Sequence, residues 1–377
     1  MDFELSKEQM LLKNSARDFL KKESPATMVR EMKNDQKGYS TELWSKMVDL
    51  GWTGLNIPEK YGGIGGSFLD LVILLEEMGE VLLPGPFFST VVVGGSLILA
   101  AGTEEMKETL LPGIVDGELH VGLAKDEPGG RYDNSVIDTC ATPLENGYSI
   151  NGTKIFVENA QISNRLLCLA RISDGGSASQ GGSLFLVNSK NDGLGYTPLK
   201  TIGYDKQYEV VFNDVKVSEK DLMSGRGKGA EILAPIMEMA ACAKSAEILG
   251  GMSAVHNMSL KYAKERVQFG KPIGSYQAIQ YHLVEMAMGI EAAKVLTYHA
   301  AWKISQGLSA KKEIAMAKAW TGEASQRVAS LGHQIHGGYG FCEETDMHLY
   351  YRRCKTGELA YGDSDYHLEK VAQEIGM

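Results

Sequence analysis

The chain has 377 residues, of which 44% are hydrophobic and 23% charged, so it can bury a sizeable core over more than one domain. Its 48 acidic residues outnumber its 38 basic residues and give a net charge of −10, which disfavours nucleic acid as a partner because the surface would repel phosphates. No apolar run approaches the roughly 18 residues needed to cross a bilayer, and the N-terminus lacks the apolar centre of a secretory signal, so we expect a cytoplasmic protein without a membrane span.

Residues from about 5 to 115 are predicted to form helices. Leu5, Met10, Leu12, Ala16 and Leu20 recur at roughly helical spacing, and the segment LDLVILLEEMGEVL repeats the pattern. The glycine-rich YGGIGG at 61–66 is typical of a turn between helices. The first part of the chain is therefore predicted to be a helical domain.

From about 118 to 222 the pattern changes to short apolar segments separated by Gly, Asn, Asp and Pro. The predicted strands are HVGLA, GYSINGTKIFV, RLLCLARI, SLFLVN and YEVVFNDVKV. Short strands at this spacing predict a small antiparallel barrel or sandwich. GGSASQGG at 175–182 predicts a flexible loop within it.

Beyond about 226 the helical period returns. Ile279, Leu283, Met286, Ile290 and Ala293 are spaced alternately by four and three residues, as along the seam of a helical bundle. We therefore predict a multidomain α+β fold. It has an N-terminal helical domain over 1–116, a middle antiparallel β-barrel domain over 117–224 and a C-terminal four-helix bundle over 225–377. The five cysteines include no CxxC pair, so we predict neither a disulfide framework nor a metal site.

Three segments, in this order and at these separations, carry a resemblance to the acyl-CoA dehydrogenase family. They are VGLAKDEPGG at 121–130 with GYSINGTKIFVENA at 147–160, KYAKERVQFGKPIGSYQAIQ at 261–280, and HQIHGGYGF at 333–341 with YYRRCKTGELAYGDSD after it. The chain resembles this family, and its bacterial catabolic members most, along nearly its whole length. The resemblance implies FAD as cofactor, an acyl-CoA substrate oxidised between Cα and Cβ, and electron-transfer flavoprotein as electron acceptor.

The resemblance also implies a set of cofactor-binding residues. Those on an arm that reaches the flavin of a neighbouring subunit are Arg266, Phe269, Gln334, Gly337 and Gly338, and Gln277, which opens the next helix, belongs to the same set. Those beside the flavin of the same chain are Asp126, Phe156 and Glu158. The chemistry suits the role, because glycines let main-chain amides approach phosphates and an arginine offers a planar fork of donors. A plain helix cap at the glycines and a helix-dipole role for Arg266 stay open as alternatives.

The chain departs from the family at the catalytic base. Tyr361 occupies the position of the usual glutamate, and a phenol with a reference pKa of about 10 is a poor base at pH 7. Asp126 and Glu158 stand where the family has hydroxyl residues near the flavin, and Phe156 replaces a tryptophan. Two acids there would disfavour negative charge on a reduced flavin.

The sequence therefore predicts the subunit of an α2β2 dehydrogenase that lacks the catalytic glutamate, with a related subunit as its partner. One alternative is a self-sufficient homotetramer whose base has moved to Asp363 or Glu158, although Asp363 also suits a helix N-cap. Glu247, on a helix near the acyl chain in the family, is interpreted as an exposed residue or one that forms a salt bridge between helices. A non-redox scaffold that keeps the fold is the alternative from another class.

Overall fold

A computed structural model describes residues 4–129, 137–173 and 181–377. The helices are α1 Lys7–Glu23, α2 Ala26–Asn34, α3 Thr41–Asp49, α4 Phe68–Glu80, α5 Ser96–Ala101, α6 Glu104–Val115, α7 Gly229–Glu265, α8 Gln277–Ser305, α9 Lys311–His336, α10 Met347–Leu359 and α11 Ser364–Glu374, and a π-helical segment, Phe88–Gly95, precedes α5. The strands are β1 Val121–Ala124, β2 Cys140–Leu144, β3 Gly147–Glu158, β4 Arg165–Ile172, β5 Ser183–Asn188, β6 Leu194–Leu199, β7 Gln207–Val217, β8 Val267–Gln268 and β9 Lys271–Pro272. The predicted α+β class is confirmed. Within the described ranges, no helix is both long and apolar enough to span a membrane.

The chain folds into two compact units. The first consists of Met1–Glu31, Ser67–Leu83 and Glu238–Met377, and the second of Met32–Gly66 and Pro84–Met237. The division into three domains at 1–116, 117–224 and 225–377 is kept as a proposal.

The second unit contains the main sheet, in the order β1-β4-β2-β3-β7-β6, with β5 also paired to β4. All five predicted strands are present, and four pairings are antiparallel as predicted, whereas β1–β4 and β2–β4 are parallel. Strands β2 and β6 were not predicted, because Pro143, Gly195 and Pro198 interrupt them and few of their side chains are buried. Residues 175–180 of the predicted loop lie outside the described part of the chain.

The first unit contains the helical seam predicted from the sequence. Met286, Ile290 and Ala293 of α8 are buried as expected. In α1 the predicted stripe is confirmed at Ala16 and Leu20, which are fully buried, but it is wrong at Met10, which is 46% exposed. Lys13 faces the interior instead, because its ammonium pairs with the Glu76 carboxylate at 2.8 Å and contacts the Tyr298 hydroxyl at 3.2 Å.

Two glycines in the first unit let helices α4 and α7 approach closely. A Cβ added to Gly79 would lie 1.9 Å from the carbonyl oxygen of Glu247, and one added to Gly250 would lie 1.9 Å from that of Glu76. Real Cβ atoms do not approach backbone that closely, so a methyl group at either position must push the helices apart.

We therefore expect Gly250→Ala to lower the free energy of unfolding by about 2–3 kcal/mol through overpacking, despite the better helix propensity of alanine. Urea denaturation of the full chain measures it. Gly251→Ala is the matched control in the same helix, since its added Cβ would meet no atom of the described chain closer than 3.9 Å. Equal free energies of unfolding for the two variants would show that α4 and α7 do not pack closely at Gly250.

Candidate functional site

Three of the predicted cofactor-binding residues lie at one end of the sheet in the second unit. Asp126 follows β1, and its carbonyl oxygen accepts a hydrogen bond from the Ile155 amide at 2.8 Å. This bond brings the loop after β1 against β3, directly beside Phe156. Glu158 ends β3, with its carbonyl oxygen 3.3 Å from where a Cβ on Gly122 of β1 would lie. The structure therefore brings Asp126, Phe156 and Glu158 to the same end of this sheet, and their role beside a flavin stays a prediction.

Phe156 lies in a β-bulge. The pairing of β3 with β7 shifts register between Lys154 and Val157, and Phe156 takes a left-handed φ of 55°. Its side chain is 55% exposed. A left-handed bulky residue is strained by roughly 1–2 kcal/mol, and bulges often re-aim a side chain next to a functional site. The strain therefore supports a role for the exposed ring of Phe156 beyond packing.

Lysines balance the acidic groups at this end of the sheet. The Lys125 ammonium pairs with the neighbouring Asp126 carboxylate. Lys154, whose side chain is fully buried, pairs with Glu127 at 2.6 Å and also donates to the Lys125 carbonyl oxygen at 3.2 Å. The sequence suggested that the Asp126 carboxylate would disfavour negative charge on a reduced flavin. The Lys125 ammonium lies beside this carboxylate and offsets its charge, so that effect is smaller than expected.

Glu127 is the centre of this network, and it was not among the predicted site residues. One carboxylate oxygen accepts from Lys154 Nζ and, at 2.9 Å, from the Thr139 amide, and the other accepts from the Asp138 amide at 2.6 Å. Burial raises the pKa of Glu127, but the bonds from Lys154, Thr139 and Asp138 outweigh burial, so the pKa is lowered overall. The Glu127–Lys154 pair thus ties the loop after β1 to β3 and to the residues before β2.

A short exposed hairpin in the first unit carries Phe269. Strands β8 and β9 are joined by Phe269 and Gly270, whose φ values are 53° and 83°. Positive φ at both central residues is the type I′ turn, which favours Asn-Gly and strains a phenylalanine. The Phe269 side chain is nevertheless 92% exposed, and the Tyr276 hydroxyl braces the hairpin by donating to the Gln268 carbonyl oxygen at 3.1 Å.

The glycine pair follows the C-terminus of α9. Gly337 has φ 61° and ψ −144°, a conformation restricted to glycine, and its amide caps the helix by donating to the His333 carbonyl oxygen. A Cβ on Gly337 or Gly338 would meet no described atom within 4 Å. The helix-cap alternative is thus realised at Gly337, whose amide is already hydrogen-bonded, while no described atom crowds the position of a Cβ at either glycine. Gln334, one turn earlier, is exposed.

The same end of the first unit holds Arg266. The Tyr262 ring stacks on His336 at 4.4 Å between centroids, so the C-termini of α7 and α9 are adjacent. The Arg266 amide donates to the Tyr262 carbonyl oxygen, and its exposed side chain makes no ion pair within the described ranges. An available guanidinium beside an open glycine backbone is a donor set that fits a pyrophosphate. Gln277 begins α8, and its side-chain amide donates to the Tyr281 hydroxyl at 3.1 Å.

The predicted catalytic residues lie in the turn between α10 and α11. Tyr361 has a left-handed φ of 59° and is half-buried. Asp363 is the N-cap of α11, where its carboxylate accepts from the Tyr366 amide at 2.9 Å. Glu247 forms an ion pair with Lys244 at 2.5 Å, but both residues lie on α7 and Glu247 is partly buried, so the prediction of an exposed or interhelical salt-bridging residue is wrong.

The cap at Asp363 leads to a mutational test of its role. Asparagine caps helices as well as aspartate does, so we expect Asp363→Asn to leave stability within about 0.5 kcal/mol and to keep most of the activity of the assembled enzyme, whereas Asp363→Ala should cost about 1 kcal/mol. Urea denaturation and steady-state kinetics measure the two quantities. A loss of two or more orders of magnitude in kcat for Asp363→Asn would instead identify Asp363 as the base, since general bases contribute about 10²–10⁴-fold.

Comparison with known families accounts for nearly all of the chain. Residues 6–118 match the family described as acyl-CoA dehydrogenase, N-terminal domain, residues 122–215 match its middle domain, and residues 227–376 match its C-terminal domain. The chain is also 30% identical to the caffeyl-CoA reductase-Etf complex subunit CarC of Acetobacterium woodii, over 95% of this chain and 96% of that protein.

Solved structures agree with the sequence matches. The butyryl-CoA dehydrogenase of Megasphaera elsdenii superposes with a TM-score of 0.92 at 30% identity, over 100% of both chains. A chain of the ChsE4-ChsE5 complex of Mycobacterium tuberculosis superposes with a TM-score of 0.90 at 25% identity, over 100% of this chain and 99% of that one.

Proposed function

The chain belongs to the acyl-CoA dehydrogenase family, and from this premise we propose that it is a subunit of an FAD-dependent enzyme that oxidises an acyl-CoA thioester between Cα and Cβ. FAD is the cofactor of the family and, when bound, accepts the β-hydrogen as hydride. We propose further that a related partner subunit supplies the carboxylate that removes the α-proton, and that this chain supplies the arm that holds the partner's cofactor.

The observation that carries the proposal is the exposed Phe269. The ring is 92% exposed and meets its own chain edge-on at the Tyr276 ring, 6.4 Å away between centroids, and a residue held in strain points to a functional contact. Burial of such a ring in a neighbouring subunit would contribute roughly 1.5–3 kcal/mol to assembly. Phe269 therefore suits an arm that inserts into another polypeptide.

The groups beside the hairpin suit phosphate oxygens. The main chain at Gly337 and Gly338 can approach a pyrophosphate without steric hindrance, with the Gly338 amide as the donor because the Gly337 amide already caps α9, and Arg266 adds a fixed positive charge. Gln334 offers a further amide donor from the preceding turn. In the proposed enzyme these residues bind and orient the dinucleotide and take no part in proton transfer.

Exposed apolar residues on α8 and α9 support assembly in general. Tyr281, Val284 and Met288 project from α8 with exposures of 64%, 55% and 69%, and Trp320 of α9 is 44% exposed. Apolar groups clustered on one helical face mark an interface more often than a free surface. They fit either a related subunit or a second copy of this chain.

Tyr361 supports the assignment of the base to the partner. A phenol is almost entirely protonated at pH 7, whereas abstraction of the α-proton needs an anionic group. The ChsE4-ChsE5 complex, built from two differently named chains, is a precedent for heteromeric assembly among the similar structures. CarC, named as part of an Etf complex, supports electron-transfer flavoprotein as the acceptor, and we place the reaction in the cytoplasm.

A self-sufficient homotetramer is the second candidate. The pairing of Lys125 with Asp126 and the strained, exposed Phe156 favour it, because both suit a working flavin wall on this chain. In that case the base would be another acidic residue, such as Glu158.

Expression with and without the partner distinguishes the two candidates. The chain produced alone should be nearly colourless and inactive, and the complex with a related chain from the neighbouring gene should absorb at about 450 nm, a general flavin band, and reduce ferrocenium with an acyl-CoA. A yellow homomeric protein that oxidises acyl-CoA would favour the second candidate. A complex that binds no flavin would contradict both.

A further inference from the structure

The turn between α10 and α11 is unusually constrained at Tyr361. Tyr361 and Gly362 both have left-handed backbone conformations, with φ of 59° and 95°. A Cβ on Gly362 would lie 2.4 Å from Tyr366 Cδ1, so only glycine fits there. Tyrosine gains nothing from a left-handed conformation, and such a residue persists only where its surroundings hold it.

A buried lysine holds one side of this turn. Lys318 of α9 is fully buried, and its ammonium donates to the carbonyl oxygens of Glu358 and Gly362, each at 2.7 Å. Burial lowers the pKa of Lys318 to about 7, while the nearby Glu358 carboxylate acts in the opposite direction. Burying a cation is costly unless its donors are hydrogen-bonded. The Lys318 ammonium donates to two main-chain carbonyl groups of a single turn, which offsets part of that cost.

A buried histidine forms a hydrogen bond with Tyr361, which lies between Glu358 and Gly362 in this turn. His367 of α11 is 2% exposed, and its Nε2 lies 2.9 Å from the Tyr361 carbonyl oxygen. Because a carbonyl oxygen only accepts, the proton is on Nε2. Burial lowers the pKa of His367 to about 4, so the ring is neutral at pH 7. Helices α9 and α11 therefore fix the peptide groups that follow Glu358, Tyr361 and Gly362.

The bond from Lys318 to the Glu358 carbonyl oxygen caps the last turn of α10, but the bonds to the Gly362 and Tyr361 carbonyl oxygens lie in the turn beyond that helix and exceed what the start of α11 requires. The Asp363 cap already satisfies the first turn of that helix. What Lys318 and His367 add is a fixed direction of the Cα–Cβ bond of Tyr361. We propose that Lys318 and His367 are positioning residues that aim the Tyr361 phenol as a neutral hydrogen-bond donor at an oxygen of the acyl-CoA ligand. The choice of ligand rests on the proposed function.

The proposal makes Tyr361 a ligand-binding group rather than a remnant of a lost base. Binding of two probes, butyryl-CoA and phenylpropionyl-CoA, to the full chain can be measured by calorimetry. Tyr361→Phe should weaken binding of at least one probe about fivefold to thirtyfold, the worth of one hydrogen bond to a buried acceptor. Lys318→Met and His367→Leu should each weaken binding to a similar degree.

A double-mutant cycle separates positioning from a general loss of structure. If Lys318 and His367 act through the phenol, neither substitution should weaken binding further in the Tyr361→Phe background. His367→Gln should restore part of the affinity lost in His367→Leu, because its amide can donate in place of Nε2. Lys303→Met, which breaks the ion pair with Glu313 on α8 and α9, is the control and should leave binding unchanged.

Three results would overturn the proposal. They are wild-type affinity in Tyr361→Phe, additive losses in the double variants, and failure of the wild-type chain to bind either probe. If Lys318→Met does not fold, each of the two His367 variants can be combined with Tyr361→Phe in the same double-mutant cycle. The absorption of the assembled complex near 450 nm tests the proposed function separately, since it depends on the arm with Phe269 and not on Tyr361.

Discussion

Replacing Lys154 with methionine should lower the free energy of unfolding by about 3–5 kcal/mol, the usual cost of leaving a buried carboxylate without its counter-charge. The lysine is fully buried and pairs with Glu127 at 2.6 Å. Methionine follows the lysine side chain as far as Cε and lacks only the terminal ammonium, so the change removes the charge with little change in packing. Urea denaturation at pH 7 measures the loss.

The pH dependence of stability gives a second measure of the same pair. The pKa of Glu127 is lowered in the folded chain, so its contribution is complete above the unfolded value of about 4.3 and is lost as the pH falls through the folded value. In Lys154→Met this acid-side loss should shrink. Lys190→Met, at an exposed position, is the control. A cost below 1 kcal/mol for Lys154→Met would show that Glu127 is adequately solvated without the lysine.

Phe269→Asn should separate the stability of the chain from its function. Asn-Gly is the favoured pair for a type I′ turn, so the isolated chain should become about 0.5–1 kcal/mol more stable as strain is relieved. In the assembled complex the same change removes an aromatic anchor, and FAD affinity should fall about tenfold to hundredfold, equivalent to about 1.4–2.7 kcal/mol. Thermal unfolding of the chain and fluorescence titration of FAD into the apo-complex measure the two effects.

The opposite signs of these two effects make the test selective. Leu11→Asn, at a 70% exposed position on α1, removes an apolar side chain elsewhere and should leave FAD affinity unchanged. A less stable chain together with unaltered FAD affinity would mean that Phe269 packs against its own subunit, contrary to the proposed arm.

Features governed by local pattern could be predicted from the sequence. The five predicted strands carry buried residues in contiguous runs, such as Leu166–Leu169 in β4, or separated by more exposed ones, as in β7, and such patterns are visible without tertiary information. The Asp363 cap and the seam at Met286 and Ile290 follow from similarly local rules. Strands β2 and β6 escaped prediction because the sheet, and not their own sequence, holds them extended.

Features that depend on distant residues could not be predicted. Glu127 and Lys154 are 27 residues apart, and Lys318 reaches carbonyl groups 40 and 44 residues further along the chain. The bulge at Phe156 and the strained turn at Phe269 even oppose local preference, since neither residue favours a positive φ. Opposition of this kind between local preference and structure is expected where function holds a residue in place.

Exchange of the α-proton of an acyl-CoA tests most directly whether this chain lacks its base. The chain alone, mixed with FAD and butyryl-CoA in deuterated water, should place no deuterium at C2 above the enzyme-free blank, because Tyr361 stands where a carboxylate is needed. The complex with its partner should place deuterium there readily. Incorporation by the lone chain at a rate similar to that of the complex would contradict the assignment of the base to the partner.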